Sequence, residues 1–500
     1  MDPKLCIKLL PPLFLLFLNC VSSEYWQVTN LHSFMKATKN KITESRKELW
    51  PDFQAFYYTQ TLDHFNYLPE SSATFQQKYI VNSKYWGGAN TSSPIFVYTG
   101  PEFEIEYVAT PGLMTDIAPR FKALLVYIEH RYYGESMPFG EESYQNSSTM
   151  GYFSSTQALA DYAELIIDLK RNLSAQNSPV IVLGGSYGGM LASWFRLKYP
   201  HIAVGALASS APILYFDGMT PENGYHVVVT KDFKEISESC YNTIRESWSE
   251  IDRVAATPNG LNMLSQKFNT CEVVNSSNQL KDSIATNYIT SAQFNEPPYY
   301  PVKQICAAID GLPEGSDVIS RISAGYKVGF GRLFNNTPCN EISYLAPTIA
   351  PTRELGWFWQ TCTEMVIPIG YHKNETMFDR ENPFDLKAFT RGCQSKFGVT
   401  PRPHWITTEY GGHNITSVLK KFASNIIFSN GLQDPYSVGG VLQSISDSVV
   451  ALYTTQGSHC LDLVAASTSD PDWLVTQRKK EVEIIQGWIQ EYSMMQDIEP

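Results

Sequence analysis

The sequence predicts an α/β fold: a mainly parallel sheet whose chain is interrupted by a disulfide-stapled helical insertion. Three observations lead there. Short apolar runs alternate with helical stretches up to about residue 215. From there to about residue 420 strand rhythm fades, and Cys240, Cys271, Cys306, Cys339, Cys362 and Cys393 all lie in this stretch. The strand-then-loop pattern then resumes with "NIIFSNGLQDPYS" and "SVVALYTTQGSHC".

Each element follows from its own pattern. "IFVYTG" (Ile95–Gly100) and "ALLVYIEHR" (Ala123–Arg131) are apolar runs of strand type. A helix spans "STQALADYAELIIDLKRNL". Val180–Leu183 is short, apolar and β-branched, as a buried parallel strand is. Met190–Trp194 and the following "FRLKYP" suit a helix that Pro200 ends, and "AVGALASSAPI" continues the alternation. A final amphipathic helix is expected from about Trp473, after "SDP", to Tyr492. The expected organisation is a signal peptide over 1–23, a first core part over 24–214, a helical cap over 215–420, and a second core part over 421–500.

Composition points to export. Lys4 and Lys8 precede the apolar run Leu9–Leu18, interrupted by Pro11 and Pro12, and Val21, Ser22 and Ser23 offer a cleavage point. The run is short for a spanning helix, so no membrane anchor is expected. Asparagine sequons at Asn90, Asn146, Asn172, Asn275, Asn335, Asn374 and Asn414 fit a glycosylated luminal or secreted protein. Removing Cys6 and Cys20 with the signal leaves seven cysteines, without Cys-x-x-Cys or His-rich spacing. Disulfides are therefore expected rather than a metal site, and no cofactor is implied. A net charge of −12 argues against nucleic acid and anionic membrane surfaces as partners.

The chemistry sits in "VIVLGGSYGGMLASW". Gly184, Ser186 and Gly188 form Gly-x-Ser-x-Gly between a strand and a helix, the pattern of a nucleophile elbow. In α/β-hydrolases an Asp or Glu and then a His follow the serine in the chain. Asp434 after "NIIFSNGLQ" and His459 after "VVALYTTQGS" supply both at strand ends. The expected roles are Ser186 as nucleophile, His459 as base, Asp434 as its orienting carboxylate, and the Tyr187 N–H as first oxyanion donor. His130 precedes the elbow and reads as structural, while His413, beside a sequon, reads as a surface group.

At this point "TQTLDHFN", "IEHRYYGESMPFG", "STQALADYAELI", "GGSYGGMLASWFRLKYPH", "ALASSAPI", "WFWQTCTEM", "SNGLQDPYS" and "GSHCLDL" stand in one order along the mature chain. Together they resemble the lysosomal Pro-X carboxypeptidase and dipeptidyl peptidase II family of serine peptidases. The resemblance implies an α/β-hydrolase core with a helical cap inserted before the Asp, and proline-containing peptides as substrates. It also implies a proline slot drawn from Met190, Trp357, Trp359, Ile367 and Tyr436, and the pairs Cys240–Cys306, Cys271–Cys339 and Cys362–Cys393. A homodimer is compatible with it. Where the family has Gly-Asn-Glu-Gly or Gly-Gly-Glu-Gly, this chain has "GPEFE". Pro101 has no N–H, so a second oxyanion donor would come from Glu102 or Phe103. Tyr436 stands for the family's tryptophan, Ile367 for a common methionine, Cys460 for a second histidine and Val464 for an arginine of the carboxypeptidase. The Cys460 side chain is expected near the site but turned from the imidazole, as on an extended backbone.

Four functions stay open on sequence: a Pro-X carboxypeptidase, a dipeptidyl peptidase releasing X-Pro, an esterase or lipase on the same core, and a non-catalytic binding protein.

Overall fold

The structure is a computed structural model that describes residues 51–333, 339–340, 342 and 352–496. The expected signal peptide and the sequon at Asn335 lie outside the described residues. One sheet of eight strands organises the chain: β1 (Phe53–Thr61), β2 (Thr74–Asn82), β3 (Ile95–Thr99), β4 (Leu124–Ile128), β5 (Val180–Gly185), β6 (Gly205–Ser209), β7 (Ile426–Gly431) and β8 (Val449–Thr454). The spatial order is β1-β2-β4-β3-β5-β6-β7-β8, antiparallel from β1 through β2 to β4 and parallel from β4 onward.

Helices cover both faces, as a parallel sheet requires. α1 (Leu113–Phe121), α2 (Ser155–Asn172) and α3 (Tyr187–Lys198) are interleaved with the strands, and α14 (Asp472–Gln496) follows β8. Every side chain of β3, β4 and β5 is buried, and successive residues feed opposite layers. Ile95, Val97 and Val182 pack towards α2 and α3, while Phe96, Ile181 and Leu183 join Ile117 of α1 with Ile485 and Trp488 of α14.

Between β6 and β7 the secondary structure of the described residues is helical apart from isolated bridges: α4 (Gly224–Ile236), α5 (Glu238–Ala255), α6 (Gly260–Lys267), α7 (Ser277–Gln293), α8 (Pro301–Asp310), α9 (Val318–Leu333), α10 (Thr352–Thr363), α11 (Leu386–Phe397), α12 (Trp405–Glu409) and α13 (Ile415–Phe422). α4 to α9 have their own apolar core, including Ile244, Trp248, Ile284, Tyr288 and Ile305. Cys240–Cys306 ties α5 to α8, Cys362–Cys393 ties α10 to α11, and Cys271 pairs with Cys339. Cys460 has no disulfide partner.

The β1–β2 hairpin was absent from the sequence expectation. β1 is an edge strand with most of its side chains exposed, so it carries no apolar run to announce it. The six described sequon asparagines, Asn90, Asn146, Asn172, Asn275, Asn374 and Asn414, are all exposed.

Candidate active site

The parallel register brings four strand ends level. Gly185 of β5 pairs with Ser209 of β6, and Ser209 pairs with Ser429 of β7, which pairs with Leu452 of β8. Ser186, Asp434 and His459 follow β5, β7 and β8 at this one edge, where loops are free to carry chemistry.

Ser186 has a positive φ (φ 57°, ψ −127°) between β5 and α3. Such a backbone is rare for a residue with a side chain and is held here by its neighbours. Ser186 N–H donates to Ser209 O at 2.9 Å, and Ser186 O accepts the Met190 N–H at 3.0 Å. Glycine is obligatory before it: a Cβ on Gly184 would lie 2.2 Å from Gly188 O. From Ser178 to Arg196 every residue is buried except Ser186, which keeps partial access to solvent. A serine in such a run is presented, not packed.

Asp434 begins the turn Pro435–Gly439 as its N-cap: one carboxylate oxygen accepts the Tyr436 N–H at 3.0 Å. The other meets His459 Nδ1 at 2.7 Å, with the carboxylate fully buried and the imidazole nearly so. Burial pulls the imidazole's pKa down, but the Asp434 carboxylate overrides it and raises the pKa well above the usual value. In the neutral imidazole the bond also fixes the tautomer, with the proton on Nδ1 and Nε2 left as the acceptor.

The histidine is anchored from three sides. Its N–H donates to Gln293 O at the end of α7 (3.0 Å), the Cys460 N–H donates to Ser210 Oγ (2.9 Å), and Arg478 of α14 donates to the carbonyls of Leu461, Asp462 and Val464. Cys460 is not extended as expected; it is left-handed, at φ 55° and ψ 24°. Its thiol packs against Gly185, where an added Cβ would come within 2.8 Å of Sγ. The residue before the serine thus touches the residue after the histidine.

Tyr187 opens α3, so its N–H lies in the helix's first turn, where intrahelical acceptors are lacking. The loop after β3 closes on the same turn: an added Cβ on Gly188 would lie 2.7 Å from Thr99 O and 3.7 Å from Pro101 Cβ. Glu102 is buried beside this turn, and its carboxylate acts electrostatically on Tyr436.

Of the slot residues, Tyr436 lies tilted beside His459 (5.5 Å between rings) and meets Tyr225 of α4 edge-on (4.9 Å). Met190 is buried in α3, and Trp357 meets the Tyr187 ring edge-on at 5.5 Å. Ile367 lies between the sheet-side core and the cap core. Trp359 is not brought there. Two residues along a helix project about 200° apart. Trp359 consequently faces the Cys362–Cys393 cluster, packed on Phe397 and donating to Phe153 O.

The sequence marked His130 as structural but gave no sign of the partners that join it to the elbow. His130, fully buried, faces the Tyr187 hydroxyl through Nε2 at 3.1 Å, while its Nδ1 meets Arg131 O at 2.7 Å. Burial pushes its pKa down to about 4, so it is neutral. Gln360 of α10 donates to the Tyr187 oxygen and accepts from Tyr133. Spatial closeness reveals this cluster; it joins His130–Tyr133, Tyr187 and Gln360, three segments far apart in the chain.

The family model described as serine carboxypeptidase S28 matches residues 60–481. The chain is 40% identical over 457 residues to a lysosomal Pro-X carboxypeptidase of Mus musculus, an alignment covering 88% of this chain and 90% of that protein. It is 39% identical over 456 residues to a lysosomal Pro-X carboxypeptidase of Homo sapiens, covering 88% and 89%. A thymus-specific serine protease of Mus musculus is 27% identical over 469 residues, covering 87% and 88%. On the family match and these identities along most of its length, the chain belongs to the S28 family of serine carboxypeptidases.

Proposed function

We propose that this serine peptidase removes the C-terminal residue that follows a penultimate proline, through an acyl-enzyme on Ser186. The observation that carries the chemistry is the buried 2.7 Å contact of His459 Nδ1 with Asp434, at the sheet edge that presents Ser186. In this reading His459 Nε2 takes the Ser186 proton as Oγ attacks the prolyl carbonyl. Asp434 stabilises the imidazolium, which then protonates the leaving nitrogen. The Tyr187 N–H and a donor in the Glu102 or Phe103 loop receive the oxyanion. Water, deprotonated by the same histidine, releases the acyl group.

The proline preference is supported by the names of the Pro-X relatives and by the apolar character of the expected slot residues Met190, Trp357, Ile367 and Tyr436, of which Trp357 borders Tyr187 and Tyr436 borders His459. A prolyl ring is apolar and its nitrogen carries no N–H to satisfy, so such a slot takes it without desolvating a donor. Entry into the secretory pathway, with lysosome, vacuole or extracellular space as destination, is supported by the lysosomal relatives, by the exposed sequons and by the disulfides. Among the described residues no helix is long and apolar enough to cross a membrane.

One assay separates the two polarities: a tripeptide with central proline, offered free, N-acylated and C-amidated. The carboxypeptidase reading requires turnover of the N-acylated peptide and none of the C-amide. The reverse pattern would assign a dipeptidyl peptidase.

A further inference from the structure

Behind the elbow lies a chain of buried polar groups that the reaction itself does not use. Gln360 is fully buried on α10, yet both ends of its amide are satisfied by the core. Its Oε1 accepts from the Tyr133 hydroxyl at 2.7 Å, and its Nε2 donates to the Tyr187 hydroxyl at 2.9 Å. Tyr187 in turn donates to His130 Nε2 at 3.1 Å, and His130 Nδ1–H donates to Arg131 O at 2.7 Å. The Arg131 carbonyl can only accept, so the chain runs in a single direction and permits a single His130 tautomer, and the Gln360 side chain is bonded in addition to the buried Glu364 carboxyl. It ties α10, a cap helix, to the residue directly after the candidate nucleophile. One turn before Gln360 on that helix stands Trp357, edge-on to the same Tyr187 ring at 5.5 Å.

We propose that Gln360 is a positioning residue for substrate selection: its amide registers α10 on Tyr187, and so holds Trp357 as a wall of the prolyl slot. This rests on the proline reading above. The Trp359 bond to Phe153 O and the Cys362–Cys393 bridge also hold α10, but on the side away from Tyr187; at Tyr187 the helix is held by apolar contact, which tolerates sliding, and by the Gln360 amide, whose buried donor is costly to leave unmade. Gln360 touches no substrate; it acts through Trp357 and Tyr187.

The test compares kcat/KM for two N-acylated tripeptides, one ending in Pro-Phe and one in Ala-Phe. For Gln360→Leu, which cannot bond either tyrosine, the Pro-over-Ala ratio should fall by about tenfold, the scale of one reshaped apolar contact. Gln360→Glu makes the claim sharper. A buried carboxyl stays protonated into the neutral range, and when protonated it can still donate to Tyr187 and accept from Tyr133. When ionised it can only accept. Glu364, buried beside Gln360 and bonded to its side chain, has its own carboxyl raised by burial to about 7 and faces the same cluster, so the ratio is read at each pH against the wild type and Gln360→Leu. Relative to those two, the Gln360→Glu ratio should approach the wild type at acid pH and fall to the Gln360→Leu level as pH rises, a reversal that mere loss of packing does not produce. Amide hydrogen exchange across α10 needs no substrate and should quicken in Gln360→Leu.

An unchanged ratio in Gln360→Leu, an equal loss on both peptides, or a pH-independent Gln360→Glu would overturn the proposal. A wild type with no preference for Pro-Phe would instead sink the proline reading. The registration of α10 would then be decided by exchange alone, and unchanged exchange would refute it.

Discussion

Gly184→Ala is the perturbation that the elbow geometry prices most directly. A Cβ there would stand 2.2 Å from Gly188 O, 2.4 Å from Gly188 C and 2.6 Å from Thr99 Oγ1. Ordinary contact begins at 3.4 Å, so the first turn of α3 must retreat by about 1.2 Å. Side-chain rotation cannot relieve this, because the closest atoms are backbone. Thr99 Oγ1 also donates to Gly188 O at 2.7 Å, and that bond must stretch or break as the turn moves. Ser186 and the Tyr187 N–H ride on the displaced turn. A misplacement of about 1 Å at the reacting atoms costs roughly 100-fold in rate, and overpacking a filled core costs about 1–3 kcal/mol. Gly184→Ala should therefore lose about two orders of magnitude in kcat/KM on an N-acylated Pro-Phe peptide while still melting cooperatively. Titration of Ser186 with a fluorophosphonate would count the folded sites and normalise the rate. Activity within about threefold of wild type would refute the reasoning, since it would mean that the close approach at Gly184 is not what holds the serine.

Asp434→Asn keeps the shape but loses the charge beside His459 Nδ1; kcat should drop by about 10⁴-fold. Because that carboxylate raises the imidazole pKa, the acid limb of the residual kcat/KM profile should move to lower pH; an unmoved limb argues against the assignment. Asp232 on α4 is buried without a hydrogen-bond partner, and burial lifts its pKa to about 9. Its folded pKa is above the unfolded one, so its favourable contribution is complete below the unfolded value and fades as pH rises towards 9. The melting temperature of Asp232→Asn should therefore gain on the wild type as pH rises from about 5 to about 8, and a constant difference would show that the carboxyl is not held neutral.

What the sequence announced and what it hid follow from burial and distance. β3, β4 and β5 are covered on both faces, so Ile95–Thr99, Leu124–Ile128 and Val180–Gly185 had to be apolar throughout and were readable. β1 and β2 end the sheet, carry mixed side chains and were invisible to that pattern. Ser186, Asp434 and His459 were legible because each follows a strand directly or within a short loop. The backbone of Cys460 was not: its left-handed turn answers to packing on Gly185 and Ser210, which no local pattern encodes. Trp357 and Trp359 looked equivalent as a pair in "WFWQ", and only the helical register separates the one on Tyr187 from the one on Phe397. The hold of Gln293 on the His459 backbone and the Gln360–Tyr187–His130 chain join parts of the molecule far apart in sequence, and no spacing rule could have shown them.

If Ser186 forms the acyl-enzyme, Ser186→Ala removes the nucleophile and nothing else. The hydroxyl keeps partial access to solvent and fills no core space, so the variant should fold, be secreted and melt like the wild type. Release of phenylalanine from an N-acylated Pro-Phe peptide should fall by several orders of magnitude, about 10⁴-fold or more, as loss of a nucleophile does in an enzyme of this kind. Residual turnover within about tenfold of the wild type, from protein shown to be folded, would contradict the account.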